Sequence, residues 1–140
     1  MSTLKSIPQG AVLLDTCAWI DAFVQPEKLN PAIRAYLDTH PELKLSAISP
    51  WEVAILVNRK RLELKVPIET WLQLSIDDAN IVLVPLTPPI ALESATLPGD
   101  FHKDPADRII VATARKYNLP ILTSDQKIHD YAHVDAIQSR

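Results

Sequence analysis

Residues 104–123, with the sequence DPADRIIVATARKYNLPILT, join the clearest helical pattern of the chain to a short apolar run. Over residues 104–117 one face of the predicted helix is apolar, formed by Ala106, Ile109, Ile110, Ala114 and Tyr117. Residues 120–123 follow closely and are predicted to form a buried strand. A helix that leads into a buried strand is typical of a βαβ unit, in which the strands are parallel.

The same alternation of helical patterns and apolar runs continues on both sides of this stretch. Further strands are predicted over residues 11–14, 43–47, 81–84 and 134–137. Further helices are predicted over residues 30–39, from Ser49 onward, and over residues 67–78, 88–97 and 125–132. Strands that alternate with helices in this way indicate the α/β fold class, with a central, mainly parallel sheet between helices.

Length and composition favour one domain. The 140 residues are close to the commonest domain size, and 47% of them are apolar, which is enough for a core. We expect a single domain over residues 1–140, of which residues 1–10 form an extended or flexible N-terminus. No stretch is apolar enough to span a membrane, and the N-terminus lacks the pattern of a secretion signal. The only cysteine, Cys17, fits a cytoplasmic location and is expected to be a small core residue.

The net charge bears on the choice of partner. It is formally −3, whereas proteins that bind nucleic acids are usually basic, which counts mildly against a nucleic-acid enzyme. A carboxylate cluster lowers the net charge of the chain, but the metal ions that it holds would offset this negative charge at the site. Four cations also fall within residues 59–65. They indicate either a nucleic-acid contact or a solvated helix end that the helix dipole favours.

Four acidic residues occupy corresponding places in the predicted pattern. Asp15 ends the first strand, and Asp125 follows the fourth strand and opens a helix. Glu52 and Asp107 each stand at the third position of a helix, after a capping residue and a proline. Because strand ends and helix starts share one edge of a parallel sheet, we expect the four carboxylates to lie together. Carboxylate oxygens suit Mg²⁺ and Mn²⁺, which can position a water and neutralise charge on a phosphoryl oxygen.

Each acid also has a purely structural interpretation. Glu52 fits a capping box with Ser49, in which the glutamate bonds back to the cap N–H. Asp104 and Asp125 are ordinary N-cap residues. Asp107 fits the first turn of a helix, where the helix dipole favours an acid, and Asp15 fits a turn after a strand.

Other chemical sites have weaker support. The chain has two widely separated glycines, so it has no phosphate-binding loop. His129 and His133 have the i, i+4 spacing of a zinc pair, but no thiol or third histidine accompanies them. We expect them on a solvated terminal helix, and we expect His40 and His102 in loops. The three tryptophans are isolated along the sequence and are expected in the core.

Four segments resemble, in their order along the chain, the four motifs of PIN-domain ribonucleases. They are LLDTCAW (13–19), SAISPWEVA (46–54), HKDPADRIIVATA (102–114) and LTSD (122–125). The resemblance is specifically to the VapC-like toxins of bacterial type II toxin–antitoxin modules. It covers the chain from about Val12 to Ile137, and its third segment is the most specific.

This resemblance implies a three-layer α/β/α PIN-like fold and endonucleolytic cleavage of RNA that depends on Mg²⁺ or Mn²⁺. It also implies a homodimer and inhibition by a small cognate antitoxin protein. The acids of the family, which are metal ligands and catalytic residues, map to Asp15, Glu52, Asp107 and Asp125. Asp104 belongs to the third segment as well, but its position argues first for capping.

Three other functions compete with this one, and the first two lack an acid that they need. A receiver-like signalling domain needs two adjacent acids after its first strand, whereas Thr16 and Cys17 follow Asp15. A haloacid-type phosphatase needs an acid at the position of Cys17. A PIN-like module that binds RNA or a partner without cleavage is compatible with all four acids, and an assay is required to separate it from a nuclease.

Overall fold

The computed structural model describes Ile7 and residues 9–140, over which it has five strands and seven α-helices. The strands are β1 (Val12–Leu14), β2 (Leu43–Ser46), β3 (Val82–Val84), β4 (Ile121–Thr123) and β5 (Ala136–Gln138). The helices are α1 (Thr16–Val24), α2 (Pro31–Asp38), α3 (Ile48–Asn58), α4 (Ile68–Leu72), α5 (Pro88–Ala95), α6 (Pro105–Tyr117) and α7 (Gln126–His129). A π-helical turn, Gln73–Asp77, continues α4. The extended or flexible N-terminus predicted over residues 1–10 lies largely outside the described residues.

The five strands form one sheet in the order β3-β2-β1-β4-β5, and all neighbouring strands are parallel. This confirms the predicted fold class. The chain moves from β1 to β2 and β3 on one side, and then crosses to β4 and β5 on the other. The order therefore reverses between β1 and β4, where Leu14 pairs with Leu122. In open parallel sheets, ligands bind beyond the carboxyl ends of the strands at such a switch point.

The side chains of β1 show how the sheet separates two apolar cores. Val12 and Leu14 point to one side and Leu13 to the other, as the alternation along a strand requires. The first core takes buried residues from each of α1 to α4, including Trp19, Ile33, Val53 and Trp71. The second core takes residues from α5, α6 and α7: Ile90, Ile110 and Ile128. The molecule thus has the predicted helix, sheet and helix layers.

Helix α6 forms where the sequence predicted it, and its ends explain why. The Asp104 side chain accepts the N–H of Asp107, and Pro105 fills the first helical position. Asn118 ends the helix in the left-handed conformation, with φ of 53°. The capping role predicted for Asp104 is therefore confirmed.

Two helices differ from the prediction. Helix α1 was not predicted, although Asp15 caps it through the Thr16 N–H. Helix α7 ends at His129 rather than at residue 132, because Tyr131 turns into the second core and donates its hydroxyl to the Pro98 carbonyl. The other predicted boundaries agree within two residues. Across the described residues, every helix is too short or too polar for a membrane span.

Candidate metal centre

Asp15 stands at the switch point, between the end of β1 and the start of α1, and is 4% exposed. Its N–H donates to the Leu122 carbonyl of β4 at 2.9 Å. Its Oδ1 accepts the Thr16 N–H at 2.8 Å. Its Oδ2 accepts the Thr123 hydroxyl at 2.6 Å and the Cys17 thiol at 3.3 Å. Neutral donors therefore fix this buried carboxylate, and no lysine or arginine of the described residues pairs with it.

Glu52 is held by α1 rather than by the start of its own helix. The Thr16 hydroxyl donates its proton to Glu52 Oε1 at 2.5 Å. Because a hydroxyl has only one proton, the same oxygen accepts from the Ser49 hydroxyl at 2.8 Å. Helix α3 begins at Ile48, before the predicted cap, because Ser46 Oγ accepts the Ile48 N–H at 3.2 Å. Ser49 is thus inside the helix, and the capping-box interpretation of Glu52 is wrong.

Asp107 occupies the third position of α6, as predicted. Its N–H donates to Asp104 Oδ2 at 3.0 Å, which brings the two carboxylates close together. Oxygen atoms of Glu52, Asp104 and Asp107 lie within 4.8 Å of one another. Asp104 therefore combines its capping role with a place beside the acids predicted for the site.

Asp125 follows β4 and caps α7 by accepting the Lys127 N–H at 2.9 Å. Its own N–H donates to Thr123 Oγ1 at 2.9 Å, the same hydroxyl that donates to Asp15. A carboxylate oxygen of Asp125 also lies within 4.8 Å of one on Asp107. The structure thus brings Glu52 and Asp125 next to Asp107. Thr16 connects Asp15 to Glu52 through its N–H and its hydroxyl, and the Thr123 hydroxyl connects Asp15 to the N–H of Asp125.

The carboxylates perturb one another strongly. Burial raises the pKa of Asp107 to about 7, with a further increase from four neighbouring charges, those of Asp15, Asp104, Glu52 and Asp125. Burial also raises the pKa of Asp15, against the hydrogen bond from Thr123. Burial raises the pKa of Glu52, which the hydrogen bond from Thr16 lowers in part. Because the ionised acids repel one another, this pocket favours a bound cation.

His102 is a further member of the cluster that sequence reasoning missed. Its Nε2 lies 3.0 Å from Asp107 Oδ2 but out of line for a hydrogen bond, and it has no other partner. Arg108 fixes the loop of His102 by donating to the carbonyls of Phe101 at 3.0 Å and His102 at 3.2 Å. The one available signal was its place in the third segment, shortly before Asp104 and Asp107. The prediction that His102 lies in a loop was right. Its position beside Asp107 depends on tertiary contacts, which the spacing of residues along the sequence does not reveal.

Two other predictions near the site need correction. His129 and His133 do not share a helix, because α7 ends at His129. The Nε2 of His129 lies 2.9 Å from the Thr123 carbonyl, while His133 is exposed. Cys17 is half-buried beside Asp15 rather than enclosed in the core.

The tryptophans divide into two groups. Trp19 and Trp71 are buried with ring centroids 4.7 Å apart, which confirms the core prediction for these two. Trp51 is 55% exposed, so the core prediction is wrong for it. The cations of residues 59–65 follow the end of α3 and are all exposed, which leaves both interpretations of them open.

Residues 12–134 match the family described as the PIN domain. The chain belongs to the PIN-domain family. The resemblance carried by the four sequence segments is thereby confirmed. In this PIN domain, Asp15 and Asp125 follow β1 and β4, the two strands between which the strand order reverses.

Known proteins agree with this assignment. The PIN domain is 34% identical to Ribonuclease VapC22 of Mycobacterium tuberculosis over 124 residues, which are 87% of this chain and 92% of the relative. A toxin–antitoxin complex from Klebsiella pneumoniae contains a similar structure, with a TM-score of 0.66, 21% identity, and coverage of 92% of this chain and 99% of that one. VapBC2 from Rickettsia felis, bound to a promoter DNA fragment, gives a TM-score of 0.65 at 12% identity, covering 90% of this chain and 96% of that one. At these identities the two structures establish the three-layer fold alone.

Proposed function

We propose that this chain is a single-domain endoribonuclease that depends on Mg²⁺ or Mn²⁺ and acts in the cytoplasm as the toxin of a toxin–antitoxin module. One observation carries the proposal. Four carboxylates come together from four separate segments: Glu52 and Asp125 lie within 4.8 Å of Asp107, and the buried Asp15 adds its charge beside them. No lysine or arginine of the described residues pairs with any of the four. Such an arrangement is costly for the fold alone and favourable for holding a divalent ion.

The donor set fits such an ion. We assign Asp15, Glu52, Asp107 and Asp125 as its ligands and as the catalytic residues of the site. The hydroxyls of Thr16 and Thr123 orient Glu52 and Asp15 before any ion binds, which reduces the cost of organising the site. A bound divalent ion would lower the pKa of an attacking water and stabilise charge on a phosphoryl oxygen.

RNA is the substrate class we assign, since the curated relative is named a ribonuclease and shares 34% of its residues over most of both chains. The net charge of −3 is no obstacle, because bound cations would offset the carboxylates at the site. The exposed cations of residues 59–65 are available to contact the phosphate backbone away from the pocket.

Two surfaces suit protein partners. A groove of about 960 Å³ is lined by Cys17, which contacts Asp15, and by partly exposed apolar side chains that include Phe23, Val66 and Leu74. We assign this groove to the cognate antitoxin, because a segment bound there would reach the acidic pocket. In the edge strand β3, Val82 is 51% exposed and Leu83 is 41% exposed. We assign this edge of the sheet to a homodimer contact.

Expression in bacteria tests the toxin function directly. Wild-type protein should arrest growth, and co-expression of a small protein encoded next to it should restore growth. Asp107→Asn should abolish the arrest, because it removes the carboxylate that lies next to both Glu52 and Asp125. Asp38→Asn is the matched control, since Asp38 is exposed at the end of α2 and away from the strand carboxyl ends. Sequencing of RNA ends after brief induction identifies the substrate.

The metal requirement is tested with purified protein. Cleavage of RNA should require Mn²⁺ or Mg²⁺ and stop in excess EDTA, and the melting temperature should rise when either ion is added. Full cleavage in EDTA would contradict the metal mechanism. Equal arrest by wild type and Asp107→Asn, without new RNA ends, would instead support a module that binds RNA or a partner without cleaving it.

A further inference from the structure

The imidazole of His102 is placed as a ligand would be, beside Asp107 and Asp125. Its Nε2 is buried and lacks a hydrogen-bond partner, and the whole side chain is 23% exposed. The atom lies 3.0 Å from Asp107 Oδ2, and His102, Asp107 and Asp125 each offer one ligand atom within 4.8 Å of the others. A buried polar atom without a partner costs free energy, which a bound ion would recover.

The loop around His102 is held in place by contacts outside the cluster. Arg108 donates to three carbonyls: its Nη1 to Phe101 and His102, and its Nε to Ser94 at 2.8 Å. The ring of Phe101 contacts the imidazole, with centroids 4.4 Å apart, and also contacts Tyr131 of the second core. These contacts hold the loop and the ring of His102 from outside the acidic cluster.

We propose that His102 ligates, through Nε2, a divalent ion held between Asp107 and Asp125. This position is distinct from the space among Glu52, Asp104 and Asp107, and Asp107 borders both. Mg²⁺ keeps oxygen ligands and several waters, whereas first-row transition ions bind nitrogen sites with an affinity that rises from Mn²⁺ onward. His102 therefore makes this position selective for Mn²⁺ over Mg²⁺. The inference rests on the metal centre of the proposed function and extends it to a nitrogen ligand.

Pulsed electron paramagnetic resonance of the full chain with Mn²⁺ tests this ligand without any activity measurement. Wild type should show ¹⁴N modulation from a coordinated imidazole. His102→Phe keeps a ring against Phe101 but has no donor atom, so the modulation should be lost. The Kd for Mn²⁺ should rise about 10-fold or more, on the scale of lost metal-site contacts, while the Kd for Mg²⁺ changes less. His40→Asn is the control, because His40 is exposed before β2 and has φ of 55°, which asparagine tolerates.

A melt in EDTA shows whether His102→Phe is folded. If it is not, ¹⁵N-histidine labelling of wild type and of His129→Gln decides the question. A ¹⁵N signal that persists in His129→Gln supports His102, and one lost there assigns the ligand to His129 and overturns the inference. Absence of nitrogen modulation in wild type, or unchanged modulation in folded His102→Phe, also overturns it. RNA cleavage with Mn²⁺ separates the two proposals: cleavage without a nitrogen ligand refutes only this inference, and a nitrogen ligand without cleavage refutes only the nuclease function.

Discussion

Helix α1 contains one buried aspartate, Asp21, and is capped by another, Asp15, but only Asp21 is paired with a cation. Asp21 is 3% exposed and accepts two hydrogen bonds from the Arg140 guanidinium, at 2.8 and 3.0 Å. Asp15 is 4% exposed and receives only neutral donors, from Thr16, Thr123 and Cys17. A buried carboxylate without a cation costs free energy unless a ligand supplies the charge. The charge of Asp21 therefore serves the fold, whereas the charge of Asp15 and its neighbours is suited to a ligand.

The largest expected effect separates capping from chemistry within one helical turn. Asp107→Asn should keep the fold but reduce RNA cleavage at least about 100-fold, the scale of a lost electrostatic contact near 3 kcal/mol. Asp104→Asn should keep both stability and much of the activity, since asparagine caps a helix about as well as aspartate. Cleavage rates in Mn²⁺, measured beside thermal melts, give both values. The reverse ranking would show that Asp104 is the more important ligand.

The ion pair between Asp21 and Arg140 should matter for stability but not for RNA cleavage. Asp21→Asn leaves Arg140 without its partner and should lower the free energy of unfolding by about 1–3 kcal/mol, less than for a fully enclosed pair because Arg140 is half-exposed. Denaturant melts of Asp21→Asn, Arg140→Gln and the double variant measure the coupling. Cleavage by the folded fraction should stay near the wild-type rate, and a large loss would place Asp21 in the active pocket.

The acidic cluster should make the metal-free protein less stable as the pH rises. The folded-state pKa of Asp107 is about 7, above its ordinary value of 3.8, so the folded state retains this proton longer than the unfolded chain. Stability contributed by that proton is complete below about pH 4 and is lost as the pH approaches and passes 7. The gap is bounded at about 4 kcal/mol, and solvent in the partly exposed pocket should reduce it to about 1–2 kcal/mol.

Denaturant melts in EDTA between pH 4 and pH 8 measure this loss against Asp107→Asn, which cannot ionise at that position. The difference in stability between the two proteins should shift in favour of the variant as the pH rises. A constant difference would show that Asp107 is not perturbed in the folded state.

The smallest expected change in stability concerns Glu52. Glu52→Gln keeps an oxygen that can accept from the Thr16 hydroxyl, but it removes one of the clustered charges. The metal-free protein should gain about 0.5–1 kcal/mol, because each repulsion in a partly solvated pocket is small. Cleavage should nevertheless fall sharply. Unchanged cleavage, measured in Mn²⁺ beside a melt in EDTA, would remove Glu52 from the site.

The sequence was sufficient where local pattern and tertiary structure agree. Helix α6 has an apolar face at helical spacing, a capping aspartate and a residue that ends it in the left-handed conformation, so its limits followed from residues 104–118. Helix α1 has no such contrast between an apolar and a polar face. Its sequence TCAWIDAFV is apolar on most sides and even buries the charged Asp21, so its hydrophobic residues show no helical period. The burial of Asp21 requires Arg140, which is 119 residues away.

The sequence predicted which carboxylates lie together, but it did not predict the side chains that contact them. Strand ends and helix starts placed all four acids on one edge. The sequence did not show that Thr16 bridges α1 to Glu52, because that contact depends on how α1 and α3 pack. It also did not reveal the approach of His102 to Asp107, which depends on the carbonyls that Arg108 binds. Trp51 was misplaced for the same reason, since residue type alone does not tell which face of α3 is covered.

The central position of β1 also determines when the acids can meet during translation. β1 is synthesised early, but the groups that fix Asp15 belong to β4, through the Leu122 carbonyl and the Thr123 hydroxyl. A nascent chain that has not yet released β4 from the ribosome holds three of the four acids without the strand that aligns them with Asp125. Chains emerge from the N-terminus, so this pairing forms late. For the toxin we propose, the topology would keep an unfinished chain inactive while it is still attached to the ribosome.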